Sequence, residues 1–138
     1  MLEPAAKPSL TAYSRTSIQV TTTSFVSTGL SVVLSPNTLY LIDFGSRVSD
    51  TGDGLEFKLE ASNTTDSGEL VYEIDGAASR LILGTTHVIA PSSYYILRMW
   101  GSVKTAGLVT LTLFAKKTTD LNDPTSFNAG VYLNARPV

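Results

Sequence analysis

The chain has 138 residues, enough for one domain that buries about two-thirds of its unfolded surface. The absence of cysteine excludes disulfide bonds and thiolate metal sites, and a net charge of −2 argues against a nucleic-acid or anionic-membrane partner. No run reaches the roughly 18 apolar residues that span a bilayer, and the N-terminus lacks the apolar core of a signal peptide. We therefore expect a protein that stays soluble inside a cell or leaves it by lysis.

Charged residues make up only 16% of the sequence, against roughly 25% in an ordinary soluble domain. Ser, Thr and Asn take their place. Because the cores of protein interfaces are depleted in charge, this composition predicts a chain that covers much of its surface with other subunits. The alternative interpretation is an extracellular β-domain with a Ser- and Thr-rich surface.

Residues 1–15 are predicted to form an extended N-terminal arm, and residues 16–138 a single β-domain. Prolines in the arm favour extended geometry and oppose a helix. The arm is expected either to lack a fixed structure or to lie over a neighbouring subunit. Its predicted interface residues are Leu2, Pro4, Pro8 and Leu10.

Period-two alternation of apolar and polar residues predicts about nine strands, with turn signals between them and no amphipathic helix. The strands fall at 17–21, 24–34, 38–48, 55–60, 69–74, 80–83 with 85–89, 94–103, 108–115 and 129–135. The seventh and eighth are predicted to form a β-hairpin, while 61–68 and 116–128 are predicted polar loops. This pattern predicts an all-β fold, an antiparallel, jelly-roll-like β-sandwich with an extended N-terminal arm.

The strand at 38–48 is apolar on both sides. Tyr40, Ile42 and Phe44 share one face, and Leu39 and Leu41 share the other. Such a strand either lies between two layers of the fold or is covered by another subunit. Leu39 and Leu41 are therefore predicted interface residues.

Asp50, Asp53 and Gly54 have the composition of a calcium loop, since hard cations prefer several oxygen ligands on a bend that glycine permits. The spacing departs from the EF-hand pattern, and no glutamate stands at the closing position. Glycine-containing Asp turns are ordinary strand connections. We favour a turn, and predict no metal site.

Catalytic residues are not indicated. His87 is the only histidine, and no G-x-S-x-G motif or cysteine accompanies it. The strand carboxylates show no spacing that singles out a catalytic pair; they are Asp43, Glu56, Glu60, Glu69 and Glu73. We predict no enzyme activity and no cofactor.

Two features of the strands bear on binding. Asp43 lies in an otherwise apolar strand, so a buried carboxylate there would need a partner, for which Arg47, Arg80 or Arg98 are candidates. Aromatic side chains at 94, 95 and 100 form either a sugar-stacking platform or, as is commoner, part of the core or an interface. Tyr94 and Trp100 are the interface residues predicted from this group.

Four segments resemble proteins of tailed-bacteriophage virions. Residues 29–42 are similar to a strand pair of the form L-x-A-N-T-x-Y-x-I/V, and residues 54–59 to G-L-K-F-x-L. Residues 101–115 resemble G-x-x-x-T-G-x-x-G-T-L-T-L-Q-F-A-Q-N, and residues 128–138 resemble x-A-G-S-Y-L-x-x-R-x-V. This chain departs from the pattern with Lys116-Lys117 in place of a Gln-Asn pair and with Val131 in place of Ser.

The resemblance implies a β-sandwich virion component without catalysis. Within that class we expect a capsid decoration protein on the outside of the head, a homotrimer that binds the major capsid protein and stabilises the capsid. A chain without a long shaft favours this role over the alternative, a receptor- or glycan-binding tip of a head or tail fibre that contacts a host surface glycan. An enzyme is the third alternative.

Overall fold

The computed structural model describes residues 9–50, 52–63, 65–67, 69–91, 93–120 and 124–138, which form thirteen strands. No helix in these ranges is long and apolar enough to cross a bilayer. The strands are β1 (Leu10–Tyr13), β2 (Ile18–Val20), β3 (Val26–Leu34), β4 (Leu39–Ser49), β5 (Leu55–Ala61), β6 (Thr65–Ser67), β7 (Leu70–Ile74), β8 (Ala77–Leu81), β9 (His87–Ile89), β10 (Tyr94–Thr105), β11 (Val109–Lys117), β12 (Thr125–Phe127) and β13 (Tyr132–Pro137).

The strands form two antiparallel sheets of unequal size. The larger sheet has nine strands, in the order β1-β13-β4-β10-β7-β8, with β12 pairing to β2 and β4 and with β6 pairing to β10. The smaller sheet has four strands, in the order β3-β11-β5-β9. The predicted all-β antiparallel sandwich is therefore confirmed.

The inner faces of the two sheets form the hydrophobic core, as the alternation along the strands predicts. In β11, Val109, Leu111, Leu113 and Ala115 are fully buried, whereas the threonines between them face outward. The larger sheet contributes buried side chains from β4, among them Phe44, whose ring packs edge-to-face on Phe127 at 6.2 Å between centroids. Edge-to-face packing is a favoured geometry for aromatic pairs.

The predicted hairpin of β10 and β11 is wrong, because the two strands lie in different sheets. The chain crosses from one sheet to the other after Thr105, and it does so beside the crossover from β3 to β4. The buried Thr105 hydroxyl donates to the Ser35 carbonyl at 2.5 Å and accepts from the Thr38 N–H at 3.1 Å. One threonine thus satisfies the backbone of both crossovers, which a sequence pattern cannot distinguish from a tight hairpin turn.

Both predicted polar loops contain a short strand. β6 lies within 61–68 and pairs with β10, and β12 lies within 116–128 and pairs with β2 and β4. Three-residue strands are too short to show a period of two. These short strands form because the folded chain places them beside their partners, β10 for β6 and β2 and β4 for β12.

Part of the predicted N-terminal arm belongs to the larger sheet. Leu10–Tyr13 is extended and forms the edge strand β1, which pairs with β13 from Leu10↔Ala135 to Tyr13↔Tyr132. Leu10 is accordingly half-buried against the core. Leu2, Pro4 and Pro8 lie outside the described residues. A truncation that tests the arm should therefore end before β1.

Candidate functional site

The side of the larger sheet that faces away from the core, here called the outer face, carries the exposed apolar residues predicted in β4. Leu39 and Leu41 are 40% and 37% exposed, while Tyr40 and Ile42 between them lie in the core. The exposed C-terminal residue Val138 lies beside them, since its N–H donates to the Leu39 carbonyl at 3.0 Å. These three side chains form an apolar corner of the outer face.

A row of polar and aromatic residues crosses the middle of the outer face. The register places Trp100 of β10 and Asn134 of β13 on either side of Asp43 in β4. The partner expected for the Asp43 carboxylate was an arginine. The partner found is the Tyr132 hydroxyl, which donates to Asp43 Oδ2 at 3.1 Å, and Asp43 forms no salt bridge with the described residues.

Tyr132 takes this position because Gly45 leaves room for its ring. A Cβ atom at Gly45 would lie only 2.9 Å from the Tyr132 hydroxyl oxygen. Burial raises the pKa of Tyr132, and the adjacent Asp43 carboxylate raises it further, while the nearby Arg98 acts in the opposite direction. Tyr132 therefore remains a neutral hydrogen-bond donor to Asp43 at neutral pH.

Two neighbouring depressions lie on the outer face between β4, β10 and the turn before β13. One, of about 360 Å³, is lined by Gly45, Arg47, Arg98, Asn128 and Tyr132 among others. The second, of about 320 Å³, shares Arg47 and Ile96 with the first and adds Asp75, Tyr94 and Tyr95. Arginine thus lines both depressions, because Arg47 belongs to both and Arg98 to the first.

The three aromatic residues at 94, 95 and 100 do not form one stacking platform. Tyr94 is 62% exposed on the outer face, whereas Tyr95 points into the core. Trp100 is half-buried on the outer face, six residues along β10 from Tyr94. At 3.2–3.4 Å per residue, this places the two outer rings roughly 20 Å apart.

Tyr95 is buried with its hydroxyl unsatisfied. Within the part of the chain that the structure describes, no hydrogen-bond partner reaches this oxygen. Burial raises the pKa of Tyr95, and the charge of Asp50 raises it further. A buried hydroxyl without a partner costs free energy relative to its state in water.

Removing the two hydroxyls should therefore have opposite effects on stability. Tyr95→Phe is expected to leave the free energy of unfolding unchanged or to raise it by up to about 1 kcal/mol, since it removes an unsatisfied group. Tyr132→Phe is expected to lower it by about 1 kcal/mol, since it removes the bond to Asp43. Urea unfolding of both variants measures the difference, and a larger loss from Tyr95→Phe would contradict the contacts described.

The predicted turn at 50–54 is built around two buried carboxylates. Asp50 Oδ1 accepts the backbone N–H groups of Gly52 and Gly54 at 2.9 and 3.2 Å, which fixes the bend. Asp53 pairs with Lys117 of β11 at 2.7 Å, and both side chains are almost completely buried. The cation beside this turn is thus a lysine ammonium group. Among the described residues, no group of three or more His, Asp or Glu side chains could hold a metal ion.

Sequence reasoning missed the Lys117–Asp53 ion pair. Lys116 and Lys117 are adjacent in the sequence, and their positions in β11 face opposite sides of the sheet. Lys116 lies on the outside, 3.7 Å from Glu56, while Lys117 points inward to Asp53 and to Asp120 at 3.2 Å. The available signal was the continuation of the apolar alternation of β11 to position 117.

His87 packs in the edge of the core. Its ring packs against Phe57 and Tyr72, at 5.5 and 4.9 Å between centroids, and these two rings also contact each other. The His87 Nε2 accepts the Ile82 N–H at 3.3 Å. Burial lowers the pKa of His87, and the bond to Ile82 raises it by a smaller amount. The structure thus places a hydrogen-bonded histidine in a packing role.

The strand carboxylates are divided between the two sheets. Asp43 and Glu73 lie on the larger sheet, and Glu56 and Glu60 on the smaller one. On the smaller sheet each has a lysine neighbour, Lys116 for Glu56 and Lys58 for Glu60 at 2.9 Å. Glu56 and Glu60 are therefore paired with lysines on their strand faces, and Asp43 is bonded to Tyr132.

Comparison with protein-family models and with curated proteins gives no match. Among solved structures, the chain aligns with the EclA C-terminal domain, a sugar-binding protein, over 99% of this chain and 81% of that chain. The identity is 9% and the TM-score is 0.29. A TM-score this low carries no argument about the function of the chain.

Proposed function

We propose that this chain is a structural protein of a tailed-bacteriophage virion, a capsid decoration protein that forms a trimer and binds the major capsid protein without catalysing a reaction. The observation that carries the proposal is the apolar character of β4 on both faces. Its inner residues fill the core, and Leu39 and Leu41 remain exposed on the outer face, at the apolar corner that they form with Val138. The four segments that resemble virion proteins supply the biological setting.

The outer face suits attachment to a protein surface. Exposed apolar side chains gain about 25 cal/mol for each Å² removed from water, so the remaining exposed area of each leucine contributes on the order of 1–2 kcal/mol when covered. One such contact is weak. Several subunits that bind together through a trimer and across neighbouring capsomers convert weak contacts into a high avidity.

A double substitution on the outer face tests this role. Leu39→Ser with Leu41→Ser should leave the core intact and should abolish loading of the chain onto capsids that lack it. The matched control is Val33→Ser with Val88→Ser, which removes two exposed apolar side chains, 54% and 60% exposed, from the smaller sheet. Loading is measured by sedimentation of the chain with capsids. Equal loading of the two double variants would contradict the proposal.

A second candidate function is recognition of a host glycan by the outer face. The observation that favours it is the row in which Trp100 lies beside Asp43, with Asn134 on the far side. Apolar ring faces and adjacent carboxylate and amide groups are what a sugar ring and its hydroxyls require. Retention of the wild-type chain on host cells, compared before and after periodate oxidation of their surface sugars, tests whether a glycan is bound.

A further inference from the structure

The two depressions of the outer face meet at Arg47 and Ile96, so that they form one shallow groove, here called the arginine groove. Arg47 belongs to β4 and faces Ile96 in the register, and Arg98 of β10 faces Gly45. The two arginines are therefore diagonal neighbours on adjacent strands, with backbone positions roughly 7–8 Å apart. Gly45 lies between them, and the Tyr132 ring packs over it and lines the groove.

Aromatic rings hold both guanidinium groups in place. Arg47 Cζ lies 6.0 Å from the centroid of the Tyr94 ring, and Arg98 Cζ lies 5.7 Å from that of Trp100. Stacking on an aromatic face leaves the edge of a guanidinium group, with its N–H donors, free to bind a ligand. It also reduces the conformational entropy that the side chain would lose on binding.

The guanidinium groups lack partners within the described ranges of the chain. Neither the Arg47 nor the Arg98 guanidinium group forms a salt bridge or donates a hydrogen bond there. The nearby carboxylates have other contacts or stand apart: Asp43 accepts from Tyr132, and Asp75 accepts the Ile96 N–H at 2.9 Å. Glu73 faces Arg98 in the register of β7 without a salt bridge to it.

We propose that the arginine groove binds the anionic group of an acidic saccharide, a sugar that carries a carboxylate or a phosphate. This inference rests on the second candidate function, glycan recognition, and names the class of glycan. A planar guanidinium matches the oxygens of a carboxylate or phosphate with two parallel hydrogen bonds. The exposed ring of Tyr94, which lines one end of the groove, supplies apolar surface for the sugar ring.

The groove is open along its length, so it suits a residue within a polymer chain. Hydrogen bonds to a charged group are worth about tenfold or more in affinity. A neutral sugar of the same shape would leave two desolvated guanidinium groups without a counter-ion. Preference for the anionic form over its neutral counterpart is therefore the property that distinguishes this site from a general sugar-binding surface.

The test is an NMR titration of the ¹⁵N-labelled full chain with glucuronate, glucose 6-phosphate and glucose, which share one ring. At least one of the two anions should shift the amide signals of 45–47 and 96–98 and should bind at least about tenfold more tightly than glucose. Whichever anion binds more tightly identifies carboxylate or phosphate as the natural group.

Arg47→Gln and Arg98→Gln should each weaken binding of that anion about tenfold. Arg136→Gln is the matched control, because Arg136 is exposed on the same sheet and pairs with Leu41, outside the groove. The affinity of the Arg136→Gln variant for that anion should stay within about twofold of the wild-type affinity. An equal loss in all three variants, or the absence of shifts with both anions, would overturn the inference.

Two results separate this inference from the function on which it rests. Binding of glucose as tight as that of the anions would overturn the proposed ligand class and leave glycan recognition standing. Retention on host cells that is unchanged by periodate oxidation would overturn glycan recognition itself.

Discussion

Gly101→Ala is expected to lower the free energy of unfolding by about 3 kcal/mol or more, because the added methyl group has no space. The Cβ atom would lie 1.9 Å from the Glu69 carbonyl oxygen. That oxygen cannot move away freely, since it accepts the Ser102 N–H at 3.0 Å. Gly101 also has a φ of +142°, which residues with a side chain rarely adopt. Urea unfolding followed by circular dichroism measures the loss.

Gly84→Ala separates the clash from the backbone strain. Gly84 has a φ of +77°, and a Cβ atom there would meet nothing within 4 Å. Its substitution should cost about 1 kcal/mol, the usual cost of a positive φ in alanine. Equal losses at the two positions would show that the contact between β10 and β7 is looser than described.

Asp53→Asn is expected to be the most destabilising of the charge-removing substitutions, at about 3 kcal/mol. It leaves the ammonium group of Lys117 buried without the carboxylate that lies 2.7 Å away. Because asparagine keeps the shape of the aspartate side chain, the loss of stability reports the removal of its charge. The exposed Asp120, 3.2 Å from the same nitrogen, compensates only in part. Thermal and urea unfolding measure the loss.

Glu56→Gln is the matched control, since it breaks the 3.7 Å pair with Lys116 on the outside of the same strand pair. Partly exposed ion pairs contribute at most about 1 kcal/mol. Asp53→Asn combined with Lys117→Met should regain much of the stability, because an uncharged pair leaves no buried charge unpaired. A double variant less stable than the single one would contradict this explanation.

The Lys117–Asp53 ion pair also predicts that the free energy of unfolding depends on pH. The hydrogen bond to Asp53 raises the pKa of Lys117 from its ordinary value of 10.5. A pKa raised on folding adds stability that is complete below 10.5 and is lost as the pH rises through the higher value of the folded state. The difference in stability between wild type and Asp53→Asn should therefore narrow above pH 10.5.

The positions and faces of the long strands could be predicted from the sequence, because burial of one face imposes a period of two. β4, β5 and β11 show that period, and the structure places their apolar residues in the core. The turn between β7 and β8 was also predictable. Asp75-Gly76 has positive φ at both positions, as the type I′ turn of a two-residue hairpin loop requires. The predicted strand at 80–83 with 85–89 was wrong, since the chain there forms two strands, β8 and β9, in different sheets.

Pairing between distant strands could not be predicted. The segment between β10 and β11 has the composition of a hairpin turn, yet the chain crosses between sheets there because Thr105 satisfies two crossovers at once. The arginine groove also depends on pairing between strands that are distant in the sequence. Arg47 and Arg98 are far apart in sequence, and only the register of β4 with β10 brings them together over Gly45.

The central claim is that this chain acts by attachment through the outer face of the larger sheet. Electron cryo-microscopy of phage particles assembled in the presence of the chain tests it most directly. The account predicts trimers distributed over the head, with the β4 side of each subunit, including Leu39 and Leu41, against the major capsid protein. Copies confined to the tail, or copies on the head whose larger sheet faces the solvent, would contradict it.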